Sequence, residues 1–295
     1  MESQTRKELL NYAVQTLEQA GIEDAKLNAN LIGSKILEIE YTKLPFYWNK
    51  PVSEDFSKDF QKLLNRRLFH EPLQYILGEW SFLDFDVNVG EGALIPRPET
   101  EEVLLSAVEA IKTSSLRPDF KFADVGTGTG ILGIAMAKYF PKSIGYLVDI
   151  SDEALKIAES NLLRYSELLV FNNKKQSRVS LIKSDLLEKF TDDYLDVIIS
   201  NPPYIDTEEV KTLMPEVVDY EPHIALDGGI NGLEIIEKLL RQSEKVLKNN
   251  GLLVFEHGHG QRNEIKKMLC PSWKILKEGN DFADKERFFI LKLLK

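Results

Sequence analysis

Cysteine is almost absent: Cys270 is the only one in 295 residues. No internal disulfide can form, and with Pro271 beside it and no ligand spacing around it the thiol reads as a core or surface group. Histidine is scarce too. His70, His223, His257 and His259 are too scattered for an obvious metal site, although the last two share a loop, and no metal is expected. No apolar run approaches the roughly 20 residues of a membrane span, and the opening MESQTRKELL has no signal-peptide core. A cytoplasmic, monomeric protein without a membrane partner is the expectation. An Arg- and Ser-rich leader is missing as well, which favours a bacterial protein over an organellar precursor.

Positive charge is also in deficit. The 37 Lys and Arg face 47 Asp and Glu, for a net charge of −10. Nucleic-acid affinity comes mainly from Lys and Arg neutralising phosphates, so no direct nucleic-acid binding is expected and a protein partner fits better. No repeat period or low-complexity stretch is visible. The 43% hydrophobic and 28% charged residues suffice for a folded core, and the length suits one large domain plus a smaller one.

Leu9, Leu10, Ala13, Val14, Leu17 and Ala20 recur at helical spacing until Gly21, and a second helical pattern runs from Ala25 to Leu37. A third carries Phe56, Phe60, Leu63, Leu64 and Leu68, so residues 1–73 form a helical amino-terminal domain. From Tyr75 to Ile95, Phe82, Phe85, Val87 and Val89 among glycines predict a β-hairpin linker, placed at residues 74–98. LIPRPETEE follows, with a helix beginning near Glu99. Residues 99–295 make up the larger domain, where strand and helix alternate. Predicted strands are 121–125, 144–148, 178–182, 195–200, 252–256, 273–277 and 287–294; helices lie at 131–139, 152–165, 231–247 and 261–269. This is an α/β pattern: a mostly parallel seven-stranded, Rossmann-like sheet covered by helices, with ligands at the carboxyl ends of its strands.

The first of these strands ends at Asp124 and Val125 and runs into Gly126-Thr127-Gly128-Thr129-Gly130 before an apolar helix. Glycines permit a sharp bend and close approach of a ligand. A dinucleotide fingerprint GxGxxG would need its third glycine at position 131, which is Ile131; the spacing here is GxGxG, as in class I methyltransferases. The next strand ends at Asp149, placed to accept hydrogen bonds from two ribose hydroxyls. The fourth strand, with Val197, Ile198 and Ile199, is stopped by Asn201-Pro202-Pro203-Tyr204. The prolines end the ladder and lock the turn. An amide nitrogen is a poor nucleophile because its lone pair is delocalised. The Asn201 side-chain oxygen and the Pro202 carbonyl can each accept one of its N–H groups and orient it for attack, while Tyr204 stacks on the flat group. Asn201, Pro202 and Tyr204 are thus the candidate catalytic residues, and Asn201 through Tyr204 the acceptor site.

EPLQYILG at 71–78, LIPRPETE at 94–101, ADVGTGTG at 123–130 and SNPPYI at 200–205 together resemble the peptide chain release factor glutamine-N(5) methyltransferase family over essentially the whole chain. NPPY alone is shared with DNA adenine and ribosomal RNA amino-methyltransferases, whose target is also a planar conjugated nitrogen. The IPRPETE element and the helical domain discriminate. The resemblance implies a class I fold using S-adenosyl-L-methionine to methylate the glutamine amide of the Gly-Gly-Gln loop of class 1 release factors. By position it places Gly126, Thr127, Gly128, Thr129, Gly130, Asp149, Leu186 and Asn201 on the cofactor, with Ser184, Asp185 and Leu186 at the adenine. Leu186 departs from the aromatic residue of some relatives. Arg97, Pro98, Glu99 and Thr100 would close the site, and the acidic segment from Tyr204 to Gly229, with Glu216 and Glu221, would face a basic release factor. The competing readings are a nucleic-acid amino-methyltransferase, for which a basic recognition segment is missing, and a cofactor-binding scaffold without catalysis, which would not need an intact acceptor loop.

Overall fold

The computed structural model describes residues 4–169 and 178–295, which divide into two compact units. The first holds residues 4–79 together with 214–220. Its first helix, α1 (Arg6–Gln19), starts at a reciprocal cap in which Glu8 N–H donates to Thr5 Oγ1 and Thr5 N–H to the Glu8 carboxylate. The buried face of α1, Leu9, Leu10, Ala13 and Leu17, packs with Ala25, Ala29 and Ile32 of α2 (Ala25–Ile36) and with Phe56, Phe60 and Leu64 of α3 (Glu54–Leu68). One cation is buried in this unit. Arg67 donates to Asn28 Oδ1 at 2.7 Å, to the Glu71 carbonyl at 3.0 Å and to Glu216 at 2.7 Å. A buried guanidinium needs such a full set of acceptors.

The sequence pattern predicts a hairpin from Tyr75, but residues Leu73–Leu77 form a short helix, α4. Pro72 opens it, Gly78 ends it in the left-handed region at φ 76°, and Leu73 and Ile76 join the helical core. The ribbon proper is β1 (Glu79–Phe82) and β2 (Phe85–Asn88).

The second unit, residues 80–213 and 221–295, carries α5 (Pro98–Thr113) and then the α/β alternation. Its elements are β3 (Lys121–Val125), α6 (Ile131–Tyr139), β4 (Ile144–Asp149), α7 (Asp152–Arg164), β5 (Val179–Lys183), β6 (Leu195–Ser200) and α8 (Thr207–Val210). After α9 (Pro215–Val218), which belongs to the first unit, come α10 (Glu234–Val246), β7 (Leu247–Glu256), α11 (Arg262–Met268), β8 (Trp273–Asn280) and β9 (Glu286–Leu293). The sheet has seven strands in the order β5-β4-β3-β6-β7-β9-β8. All pairs from β5 to β7 are parallel, and β9 runs antiparallel to β7 and β8. The chain winds outward from β3 through β4 to β5, then returns to build from β6 on the other side. The switch point therefore lies between β3 and β6, where ligands of open α/β sheets bind.

Several boundaries differ from the sequence pattern: β8, expected to end at Lys277, continues to Asn280, and the starts of α10 and β7 move as well. The helix expected from Asn231 begins at Glu234, because Asn231 (φ 56°) and Gly232 (φ 68°) take left-handed backbone that an α-helix cannot continue. The strand expected from Leu252 starts at Leu247, with a register shift against β6 between Leu195 and Val197. Ala123, Val125, Ile198, Leu253, Phe255 and Phe289 of the sheet are buried with Ile236, Leu239 and Leu240 of α10.

Candidate active site

β3 and β6 are in register with Val125 opposite Ser200, and the Ser200 hydroxyl donates to the Val125 carbonyl at 2.7 Å. The residues that follow, Gly126 and Asn201, thus leave the sheet side by side. The glycine loop turns over a buried carboxylate: Asp124 Oδ2 accepts from Thr127 Oγ1 at 2.6 Å and from Gly133 N–H at 2.9 Å. Burial pushes the Asp124 carboxyl up to about 7, against the pull of those two donors. Gly130 caps α6 at φ 82°, and a Cβ there would sit 3.1 Å from Ala158 Cβ and 3.2 Å from Leu147 Cδ1. Asp149 ends β4, accepting from Gly128 N–H at 2.9 Å and Ser151 N–H at 3.0 Å; burial raises its carboxyl above the usual range.

These elements wall a cavity of about 260 Å³. Gly126, Thr127, Gly128, Thr129, Asp149, Leu186 and Asn201 line it, whereas Gly130 forms the turn without lining it. Ile150, Ser184, Asp185 and Lys238 complete one end. Lys238 of α10 pairs with Asp185 and, at 3.3 Å, with Glu188. Ser184 borders the cavity, and its Oγ is buried with no hydrogen-bond partner among the described residues. Leu186 has φ 48°, so backbone strain is spent on the segment that meets this end. A carboxylate for two hydroxyls, an exposed Ile150 and Leu186 for an apolar ring and a free serine hydroxyl make a donor set that fits a nucleoside.

The acceptor loop divides. Asn201 and Pro203 line the cavity; Pro202 is buried and Tyr204 is turned into the protein, where its hydroxyl donates to Glu256 Oε1 at 3.0 Å. Burial, and after it the Glu256 charge, pushes the Tyr204 phenol well above its ordinary range, so it is a fixed neutral donor. Gln261 Nε2 donates to the Tyr204 carbonyl at 2.8 Å and holds the turn from the other side. Of the IPRPETE residues, Arg97 and Thr100 line the cavity and Pro98 and Glu99 do not. Thr100 Oγ1 donates to Glu256 Oε2 at 2.8 Å and accepts from Asn201 Nδ2 at 3.2 Å.

Of the two acidic residues expected to face a partner, Glu221 is buried and Glu216 half-buried, while Glu208, Glu209 and Asp219 of the same segment are exposed. Glu221 is 4% exposed, pairs with Arg97 and accepts from Ile95 N–H at 3.3 Å, and Glu216 is held by Arg67. Both carboxylates compensate buried or half-buried guanidinium groups, so charge reversal at either would test folding rather than docking. Glu256, Gln261, Lys238 and Glu221 are the site residues that sequence reasoning missed or misread. Each lies far along the chain from its partner, and none carries a local spacing that announces it.

Two family models match the chain. The PrmC N-terminal domain covers residues 8–78 and the Methyltransferase small domain covers residues 101–230. Among curated proteins, the release factor glutamine methyltransferase of Fusobacterium nucleatum is 32% identical over 97% of this chain and 78% of its own. The chain belongs to the release factor glutamine methyltransferase family. The member from Thermodesulfovibrio yellowstonii is 34% identical over 88% of this chain and 90% of its own. A solved methyltransferase from Pyrococcus furiosus, 18% identical, shares the fold over 80% of this chain and 98% of its own, with a TM-score of 0.51. The chain is accordingly a methyltransferase, and the glycine loop and NPPY turn both fall within the matched methyltransferase segment. Among the described residues no helix is long and apolar enough to cross a membrane, and no cluster of His, Cys, Asp and Glu could hold a metal ion.

Proposed function

We propose that the chain transfers a methyl group from S-adenosyl-L-methionine to the side-chain amide nitrogen of the Gly-Gly-Gln glutamine of class 1 peptide chain release factors. The observation that carries the reading is the pairing of Val125 with Ser200, which sets the glycine loop and Asn201 next to each other at the switch point. When bound, S-adenosyl-L-methionine supplies an electrophilic methyl group on a sulfonium. Asp149 holds the ribose hydroxyls, the backbone of Gly126 to Thr129 borders the amino-acid end, and Ser184 to Leu186 meet the adenine.

Asn201 lines the cavity and its Nδ2 donates to Thr100, so Oδ1 is the end of the amide that serves as acceptor. It takes one amide N–H of the glutamine, and the backbone carbonyl of Pro202, whose ring is buried outside the cavity lining, takes the other from the turn beside Asn201. The acceptors orient the nitrogen and favour the positive charge that would develop on it as the N–C bond forms and the donor's S–C bond breaks, the electron pair staying on sulfur and one amide proton leaving to solvent. A neutral asparagine suits this task, since the substrate is uncharged. Tyr204, pinned by Glu256 and Gln261, supports the turn and keeps its backbone rigid.

The test is to incubate the protein with labelled S-adenosyl-L-methionine and, separately, release factors, DNA and ribosomal RNA. Label is expected on the release factor glutamine, and Asn201→Ala should cut turnover by about 100-fold or more with cofactor affinity changed far less. Label on nucleic acid alone would refute the reading in favour of an amino-methyltransferase of nucleic acid, and label on nothing would favour a scaffold.

A further inference from the structure

We infer that Glu256, acting through Thr100, sets which end of the Asn201 side-chain amide faces the substrate. The inference rests on the proposed role of Asn201 as an acceptor. An asparagine amide is nearly symmetric in shape, so a pocket that uses its oxygen must hold its nitrogen elsewhere. Only an oxygen can accept the N–H of a glutamine; the flipped amide would present two N–H groups to a donor.

Thr100 has one hydroxyl proton, and the geometry assigns it. Oγ1 donates to Glu256 Oε2 at 2.8 Å, so the proton points at Glu256. The lone pairs of Oγ1 are then left to accept, and the partner at 3.2 Å is Asn201 Nδ2. One N–H of the amide nitrogen is engaged there, which holds the nitrogen end of the amide at Thr100. Glu256 Oε1 is occupied by the Tyr204 hydroxyl at 3.0 Å, so both carboxylate oxygens accept from neutral hydroxyls and none is free to reverse the order. Burial raises the Glu256 carboxyl, while Thr100, Tyr204 and the nearby charge of Arg287 work against that. Glu256 is 1% exposed and does not line the cavity, so it acts on the substrate only by way of Thr100. Thr100 and Glu256 are positioning residues.

Four variants test this on the full chain, with release factor as substrate and S-adenosyl-L-methionine binding measured separately. Thr100→Val removes the relay, and Glu256→Gln lets a side-chain amide donate to Thr100, turning its proton toward Asn201. Each should lower kcat by about 10- to 100-fold, the effect of losing one oriented hydrogen bond, with KM and cofactor Kd within about threefold. Thr100→Ser keeps the hydroxyl and should restore kcat to within about threefold of the parent. The Thr100→Val/Glu256→Gln pair should be no slower than Glu256→Gln alone, because both break one chain of bonds. Should Glu256→Gln fail to fold, the contrast between Val and Ser at position 100 decides. Normal kcat in Thr100→Val while Asn201→Ala is inactive would overturn the relay alone, and an active Asn201→Ala would overturn the acceptor reading with it.

Discussion

Asp149→Ala removes the carboxylate that ends β4 and should cost most of the cofactor affinity. In the structure that carboxylate already accepts from Gly128 and Ser151 N–H groups at 2.9 and 3.0 Å, which aim it across the loop into the cavity. Two ribose hydroxyls would add two charge-assisted hydrogen bonds, each worth about 1.5–3 kcal/mol when the acceptor is ionised. Part of this is returned as the free site hydrates better in its charged form, leaving a net loss of about 3 kcal/mol. Loosening of the glycine loop adds up to about 1 kcal/mol through the lost bond to Gly128. The sum of 3–4 kcal/mol predicts a Kd for S-adenosyl-L-methionine raised roughly 150- to 800-fold. Isothermal titration of parent and variant measures it directly. Asp149→Asn keeps one acceptor and the shape, and should fall between the two. A Kd in Asp149→Ala within fivefold of the parent would show that the ribose is held elsewhere.

Asp124 makes a separate prediction about pH. Its carboxyl rises from an ordinary 3.8 to about 7 in the fold, so the folded chain binds this proton more tightly than the unfolded chain. The stabilisation is full below the unfolded value and is lost as pH rises through about 7. Between pH 5 and pH 8 this group alone should remove about 3 kcal/mol, and Asp124→Asn, which cannot titrate, should flatten that part of the urea-denaturation profile. An unchanged slope in the variant would refute the assignment. Gly130→Ala places a side chain at φ 82° with Ala158 Cβ only 3.1 Å away. The left-handed backbone and the tight contact should cost about 2 kcal/mol, a Tm lower by roughly 4–8 °C in a scanning melt. A Tm within 1 °C of the parent would show that the loop relaxes at no cost.

The strands were legible because parallel strands buried on both faces read as continuous apolar runs: Lys121–Val125 and Leu195–Ser200 lie where the sequence pattern predicts them. The helix Ile131–Tyr139 was equally plain, since a glycine cap precedes it and polar breaks follow. Boundaries failed where backbone conformation outranks composition. Asn231 to Leu233 looks like the first turn of α10, and only the left-handed angles of Asn231 and Gly232 exclude it. The stretch from Tyr75 reads as the start of an apolar hairpin, yet Pro72 and Gly78 enclose a turn of helix, Leu73–Leu77, whose side chains join the α1–α3 core.

The site shows the same division. Sequence alone located the glycine loop, the carboxylate Asp149 and the Asn-Pro-Pro-Tyr turn, because each is local: a few adjacent residues contain the bend, the charge and the acceptors that the proposed chemistry needs. Only the tertiary structure decided which groups those residues meet. It turned Tyr204 away from the cavity toward Glu256, buried Glu221 against Arg97 instead of exposing it to a partner, and brought Thr100 between Glu256 and Asn201. The residues of these pairs stand 52, 124, 156 and 101 positions apart. A hydrogen bond over that span is set by the register of β3, β6 and β7 and the packing of α5. No local pattern in the chain encodes it.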